Sequence, residues 1–221
     1  MRSFKGVVLL VMLCFAASTR AQSPSGRHDT QVWNDTQLAI PINKKVDGLV
    51  LGTLRFGREV SRPVDERIGF GFSFKVLKWL TLTPAYYYIG TQPLKNTKGF
   101  EHRLAFGATI KGPIGRGFVL TDRNILERRL RHPQIDSTRY RNRLQLDHPF
   151  KIGETKLTAF IADEIFYDFS LHVWPRNRFS IGVSRTFNKH LTTDIYYLRQ
   201  NDSHARPGDL NVLGTALRFH L

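Results

Sequence analysis

Three arginines at alternate positions, Arg139, Arg141 and Arg143, form the most chemically suggestive run in this chain of 221 residues. Side chains on an extended strand alternate between its faces with period two, so these three point the same way. The same parity places Arg55, Arg67, Lys75 and Arg103 opposite the apolar residues of their own segments. Rings of like charge in a water-filled lumen set which ions pass, and arginine there attracts anions and repels cations. The competing arrangement is a plug. Glu59, Glu101, Glu127, Asp147 and Glu164 are available as partners, and a guanidinium held away from water is costly without one. Residue types alone support both arrangements equally.

Other chemistries are poorly served. Outer-membrane lipid hydrolases present His-x-Ser on one strand face, so that the imidazole activates the hydroxyl, and that motif does not occur here. The nearest pair, Ser170 and His172, stands in reversed order and falls in a loop. His102, between Phe100 and Leu104, reads as an interface residue on an apolar face. No metal-ligand spacing, P-loop or Rossmann pattern is present, so no catalytic residue, metal or cofactor is expected. Aromatics cluster near segment ends at Trp33, Trp79, Tyr86 to Tyr88, Phe166 with Tyr167, Trp174, and Tyr196 with Tyr197. Such residues form girdles at the headgroup level of a membrane. Aromatics among basic residues can also stack nucleic-acid bases, but a secreted barrel is not expected to bind nucleic acid.

The elements that must position these residues are short alternating segments. Ile68, Phe70, Phe72, Phe74 and Val76 face one way, and Arg67, Gly69, Gly71, Ser73 and Lys75 the other. About eleven segments of this kind are recognisable, at 30–40, 48–58, 67–76, 80–90, 99–110, 117–128, 138–148, 155–166, 178–187, 191–200 and 210–221. Strands of about ten residues, apolar outside and polar inside, with short and long connections in alternation, predict an all-β fold: a transmembrane antiparallel up-and-down β-barrel of 10 to 12 strands. A soluble barrel such as a lipocalin would instead turn its large apolar residues inward. Eleven is an awkward number, because bacterial single-chain barrels have even counts. Either the stretch before Trp33 supplies a twelfth strand, or one weak segment does not span and ten remain. The weakest are 30–40, whose pattern is mixed, and 117–128, where Asp122 and Asn124 interrupt the apolar face.

The start of the chain reads as a secretory leader at 1–21: Arg2 and Lys5, an apolar run from Gly6 to Ala17, and a small-x-small exit at Thr19-Arg20-Ala21. The apolar run is too short for a membrane helix. Cleavage after Ala21 would remove three cations and no acid, lowering the formal charge from +15 to +12, and would remove Cys14, the only cysteine. Disulfides are therefore not expected to contribute. A polar arm follows at 22–29, and then one barrel domain at 30–221. At the other end Leu217, Phe219 and Leu221 share a face with Leu213. This is similar to the terminal signal read by the outer-membrane barrel-assembly machinery, with Leu221 where Phe or Trp is usual. The expected partners are that machinery and outer-membrane lipid, and the expected location is the outer membrane of a Gram-negative bacterium.

Trp33, the run Tyr140-Arg-Asn-Arg-Leu-Gln-Leu, and Arg178-Phe-Ser-Ile-Gly-Val followed by Leu191-Thr-Thr-Asp-Ile-Tyr-Tyr-Leu-Arg-Gln together resemble the bacterial domain-of-unknown-function family 2490. The resemblance implies an outer-membrane barrel with no assigned activity and no catalytic residues to transfer. The leading expectation is thus a non-enzymatic barrel acting as a narrow anion-preferring channel. A closed structural or adhesive barrel and a lipid hydrolase are the alternatives.

Overall fold

The computed structural model describes residues 27–221. The leader and most of the polar arm lie outside the described residues. The strands are β1 (His28–Asn43), β2 (Val46–Gly57), β3 (Arg62–Leu77), β4 (Leu80–Thr91), β5 (Gly99–Gly115), β6 (Phe118–His132), β7 (Ser137–Ile152), β8 (Thr155–Asp168), β9 (Val173–Asn188), β10 (Leu191–Asp202) and β11 (Asp209–His220). They close into a single barrel in which each strand pairs with its neighbours in sequence, and β1 meets β11. Two-residue turns at 44–45, 78–79, 116–117, 153–154 and 189–190 lie at one end, and longer loops at 58–61, 92–98, 133–136, 169–172 and 203–208 lie at the other.

The strand count is odd, so neither twelve nor ten is correct. An odd ring cannot be antiparallel throughout, and the mismatch falls at the closing pair: β1 and β11 run parallel, in register from His28 opposite Asp209 to Ala39 opposite His220. The mixed pattern of β1 follows from this place at the seam. Trp33 turns inward, while on the opposite side of the strand Asn34 donates from Nδ2 to Thr215 Oγ1 at 2.9 Å across the seam. Asp29, expected in the arm, belongs to β1. Its carboxylate accepts the backbone N–H groups of Arg58 and Glu59, both at 2.9 Å. Those two residues and Val60 all take positive φ, a backbone state that L side chains, and β-branched ones above all, adopt only when held there. Asp29 thereby fixes the β2–β3 loop to the start of β1.

The molecule is inside out relative to a water-soluble barrel. Ile68 and Phe70 are 65% and 62% exposed, and Leu104, Phe106, Ile181 and Ile195 are also exposed. The buried set holds many charged residues instead, including Arg103, Glu101, Glu127, Arg139 and Glu164. One apolar cluster exists inside, of Trp33, Leu198, Leu210 and Val212, with Tyr196 against it. The inward glycines make room for rings. A Cβ on Gly214 would lie 2.1 Å from the Tyr196 ring, and one on Gly182 would lie 2.6 Å from Tyr196 Cβ, both glycines being directly opposite Tyr196 on neighbouring strands. Gly69 stands in the same relation to Tyr87. Tyr87, Tyr196, Trp33 and Phe166 are therefore interior residues rather than members of an outer girdle. Asp122 and Asn124 do face outward, and they are satisfied there by β7: Asn142 Nδ2 donates to Asp122 at 2.6 Å and to Asn124 at 3.0 Å, and the Tyr140 hydroxyl donates to Asn124.

Candidate functional site in the barrel interior

Inward positions of β5 to β9 bring acidic and basic side chains onto adjacent strands, and an ionic network follows from that register. Glu127, directly opposite Arg139, accepts Arg139 Nη2 at 2.6 Å, Arg141 Nη1 at 2.8 Å and Arg103 Nη1 at 3.4 Å. Glu164 accepts Arg141 Nη2 at 2.7 Å and Arg123 Nη2 at 3.1 Å, with Arg178 Nη1 at 3.8 Å. Glu101 holds Arg103 at 2.6 Å and Arg129 at 2.8 Å. Each carboxylate is thus shared among several guanidiniums, which compensates its loss of water by charge-assisted hydrogen bonds. On β3, Arg67 forms a two-pronged pair with Asp65 at 2.6 and 2.8 Å.

Aromatic rings support several of the same cations, and Arg55, which has no carboxylate partner among the described residues, as well. The Arg55 guanidinium lies 3.8 Å above the Trp33 ring centroid, and that of Arg178 lies 4.9 Å from it. Phe166, 1% exposed, is surrounded by Arg139, Arg141, Arg176 and Arg178 at 4.9 to 5.4 Å. A guanidinium face over a ring gains cation–π attraction while leaving its edge donors free.

Two internal spaces, of about 400 Å³ towards the loops and about 880 Å³ towards the turns, lie end to end. They share Trp33, Arg55, Arg67, Arg103, Arg141 and Arg178, which define a neck between them. Ten arginines against four carboxylates line the loop-side chamber. Nine cations against five carboxylates line the other, so both carry a positive excess.

The expected lumen residues occupy distinct places. Arg55, Arg67, Arg103 and Arg141 line the neck, Arg139 the loop-side chamber and Arg143 the turn-side chamber. Lys75 lines neither. It sits near the turn end of β3, half exposed, paired with Asp47 at 2.8 Å. Of the acids expected to pair, Glu101, Glu127 and Glu164 do so, whereas Glu59 lies exposed in the β2–β3 loop and Asp147 accepts from Gln145 rather than from arginine. Four further arginines belong to the network: the parity of their segments marks Arg123 and Arg178, whereas Arg129 and Arg176 fall outside the segments recognisable in the sequence. Ser170 and His172 lie in the exposed loop between β8 and β9. His102 faces outward, bonded through Nδ1 to the Tyr86 hydroxyl at 2.6 Å. Phe219 and Leu221 are exposed on the terminal strand and Leu217 is half-buried beside them, with the Leu221 N–H donating to Ala39 O. Among the described residues, no group of three or more His, Cys, Asp or Glu side chains is placed to hold a metal ion.

A family model described as "Protein of unknown function (DUF2490)" matches residues 30–211. No curated protein matches the chain. Among solved structures, the siderophore receptor PirA from Pseudomonas aeruginosa is similar at 12% identity with a TM-score of 0.29, over 75% of this chain and 32% of the receptor, so the chain spans about a third of that protein's length.

Proposed function

We propose that this chain, which belongs to the DUF2490 family of proteins of unknown function, is an integral outer-membrane β-barrel that conducts small anions through a narrow interior and is not an enzyme. The exposed apolar stripe supports the membrane location, because a contiguous surface of this kind requires a non-aqueous neighbour. The observation that carries the conduction reading is the placement of three arginines that form no salt bridge among the described residues. Arg131 lines the loop-side chamber, Arg55 the neck and Arg143 the turn-side chamber, and each has a buried Nε without a hydrogen-bond partner. They offer an anion successive footholds along the barrel, while the paired arginines set only the wall.

The test is conductance in planar bilayers. Single steps with a reversal potential favouring chloride over potassium are expected, moving towards cations in Arg143→Glu. Cation-selective steps from the unaltered protein would overturn the charge argument. The network through Glu127 and Glu164 favours a second reading, a barrel closed at its neck and serving structure alone, for which no steps are expected from either protein. Location is tested separately. The protein should stay with membranes through a carbonate wash and change its gel mobility on boiling, and removal of residues 218–221 should lower the amount assembled. Recovery in the soluble periplasmic fraction would defeat the membrane assignment.

A further inference from the structure

We infer that the neck is a binding site for a small oxyanion, one carboxylate or phosphate group, held between Arg55 and Arg178 beside Trp33. Arg55 is 9% exposed and, among the described residues, its side chain makes no hydrogen bond and no salt bridge; its Nε is buried without a partner. A guanidinium removed from water in this way is left short of acceptors. Its face is covered by the Trp33 ring at 3.8 Å, which leaves only its edge for an acceptor, and the side chain lines the space that both chambers share. Arg178 shares the same indole at 4.9 Å. Its Nε is committed to Gln200 Oε1 at 2.8 Å, and its nearest carboxylate oxygen, on Glu164, is 3.8 Å from Nη1, beyond a hydrogen bond. Two like charges on one ring repel each other, and an anion between their edges offsets that repulsion.

The fixed planar fork of arginine matches an oxyanion with two oxygens in one plane, which a carboxylate and a phosphate both provide and chloride does not. Trp33 is 2% exposed, so the site is closed to bulk solvent on the indole side. The inference rests on the anion-attracting interior proposed above, but it does not require flow through the barrel.

Trp79 and Trp174 are 51% and 57% exposed, and they are the other two tryptophans. In a Trp79→Phe, Trp174→Phe background the emission of Trp33 therefore reports the neck alone. Inorganic phosphate, succinate and sodium chloride are titrated at matched ionic strength into the full mature protein in detergent micelles. A saturable change with phosphate or succinate, absent with chloride, is expected, and the stronger of the two identifies the anion class. Arg55→Gln should weaken the apparent affinity about ten-fold or more, the loss expected for charge-assisted hydrogen bonds. Lys75→Gln, remote from the neck, should leave it unchanged. Arg55→Lys serves if the glutamine variant does not fold, because it keeps the charge and loses the planar edge. Its affinity should also fall. Equal responses to all three salts, or a saturable response that survives the loss of Arg55, would overturn the site. Chloride currents without a saturable signal would reject the site and keep the channel, and saturable binding without current would do the reverse.

Discussion

Replacing Glu127 by glutamine is expected to destabilise the barrel by about 3 kcal/mol, at the low end of the cost of removing one partner from a buried ion pair. The reason lies in how its three arginines are served. Arg103 retains Glu101 at 2.6 Å and Arg141 retains Glu164 at 2.7 Å. Arg139, 7% exposed, has Glu127 as its sole carboxylate among the described residues, at 2.6 Å. Most of the cost should therefore come from stranding Arg139, and a glutamine carbonyl replaces only part of what is lost. The assay is reversible denaturant unfolding in micelles, followed by tryptophan emission, on the single variants Glu127→Gln and Arg139→Gln and on their combination. The double variant should be less destabilised than the sum of the singles by about 2 kcal/mol, within the usual range for residues in one ionic network. The same cycle with Arg103, whose contact with Glu127 is 3.4 Å, should give a smaller coupling. A loss below about 1 kcal/mol in Glu127→Gln, as for a solvated surface pair, would mean that water fills the neck and that the network is not buried. Equal couplings for Arg139 and Arg103 would refute the argument from distances.

Further substitutions probe the wall. Phe70→Arg, on the outer face at mid-strand, should cost about 2 to 4 kcal/mol in lipid, and Ser73→Arg, on the inner face, much less; equal losses in liposome-based unfolding would reject the assignment of faces. Gly214→Ala should destabilise by about 1 to 3 kcal/mol through its clash with the Tyr196 ring, and adding Tyr196→Leu should recover much of the loss; a Gly214→Ala protein as stable as the parent would contradict that packing. Asp29→Ala should cost about 1 to 3 kcal/mol by leaving the Arg58 and Glu59 N–H groups without their acceptor, with faster proteolysis at the β2–β3 loop as an independent sign.

The architecture was legible because the inner and outer faces of most strands differ so sharply. In β3, five apolar residues alternate with Arg, Gly, Ser and Lys, the pattern of a strand with an apolar outer and a polar inner face. Strand ends were less legible. The strands run past ten residues to as many as seventeen, because residues such as Arg62 to Glu66 and Arg129 to Arg131 look like loop by composition yet pair beyond the apolar band. Of the arginines at 139, 141 and 143, the sequence showed a common face but not their unequal roles, which depend on the strand register and on which way each glutamate turns. Glu127 stands opposite Arg139 and pairs with it, whereas Glu164 stands opposite Arg143 yet turns to Arg141, one pair of positions along, and Arg143 is left with Gln145. Trp33 and Tyr196 were misplaced for a different reason. Aromatic rings near strand ends usually face the headgroups, and only the glycines opposite Tyr196, and the position of Trp33 between Gln31 and Asp35 on the inner face of β1, show that these two are part of the filling.

The parallel seam between β1 and β11 has a consequence for the two rims of the barrel. In an even ring the first and last strands run in opposite directions, so both ends of the chain emerge at the same rim. Here β1 sets out from the rim of long loops and β11 finishes at the rim of tight turns, which puts Arg27 and Leu221 on opposite sides of whatever the barrel spans. Adding or losing a hairpin changes the number of strands by two and so cannot remove the odd count or the parallel seam. A barrel of this parity can be widened or narrowed by hairpins, but it always presents one end of its strand array to each compartment.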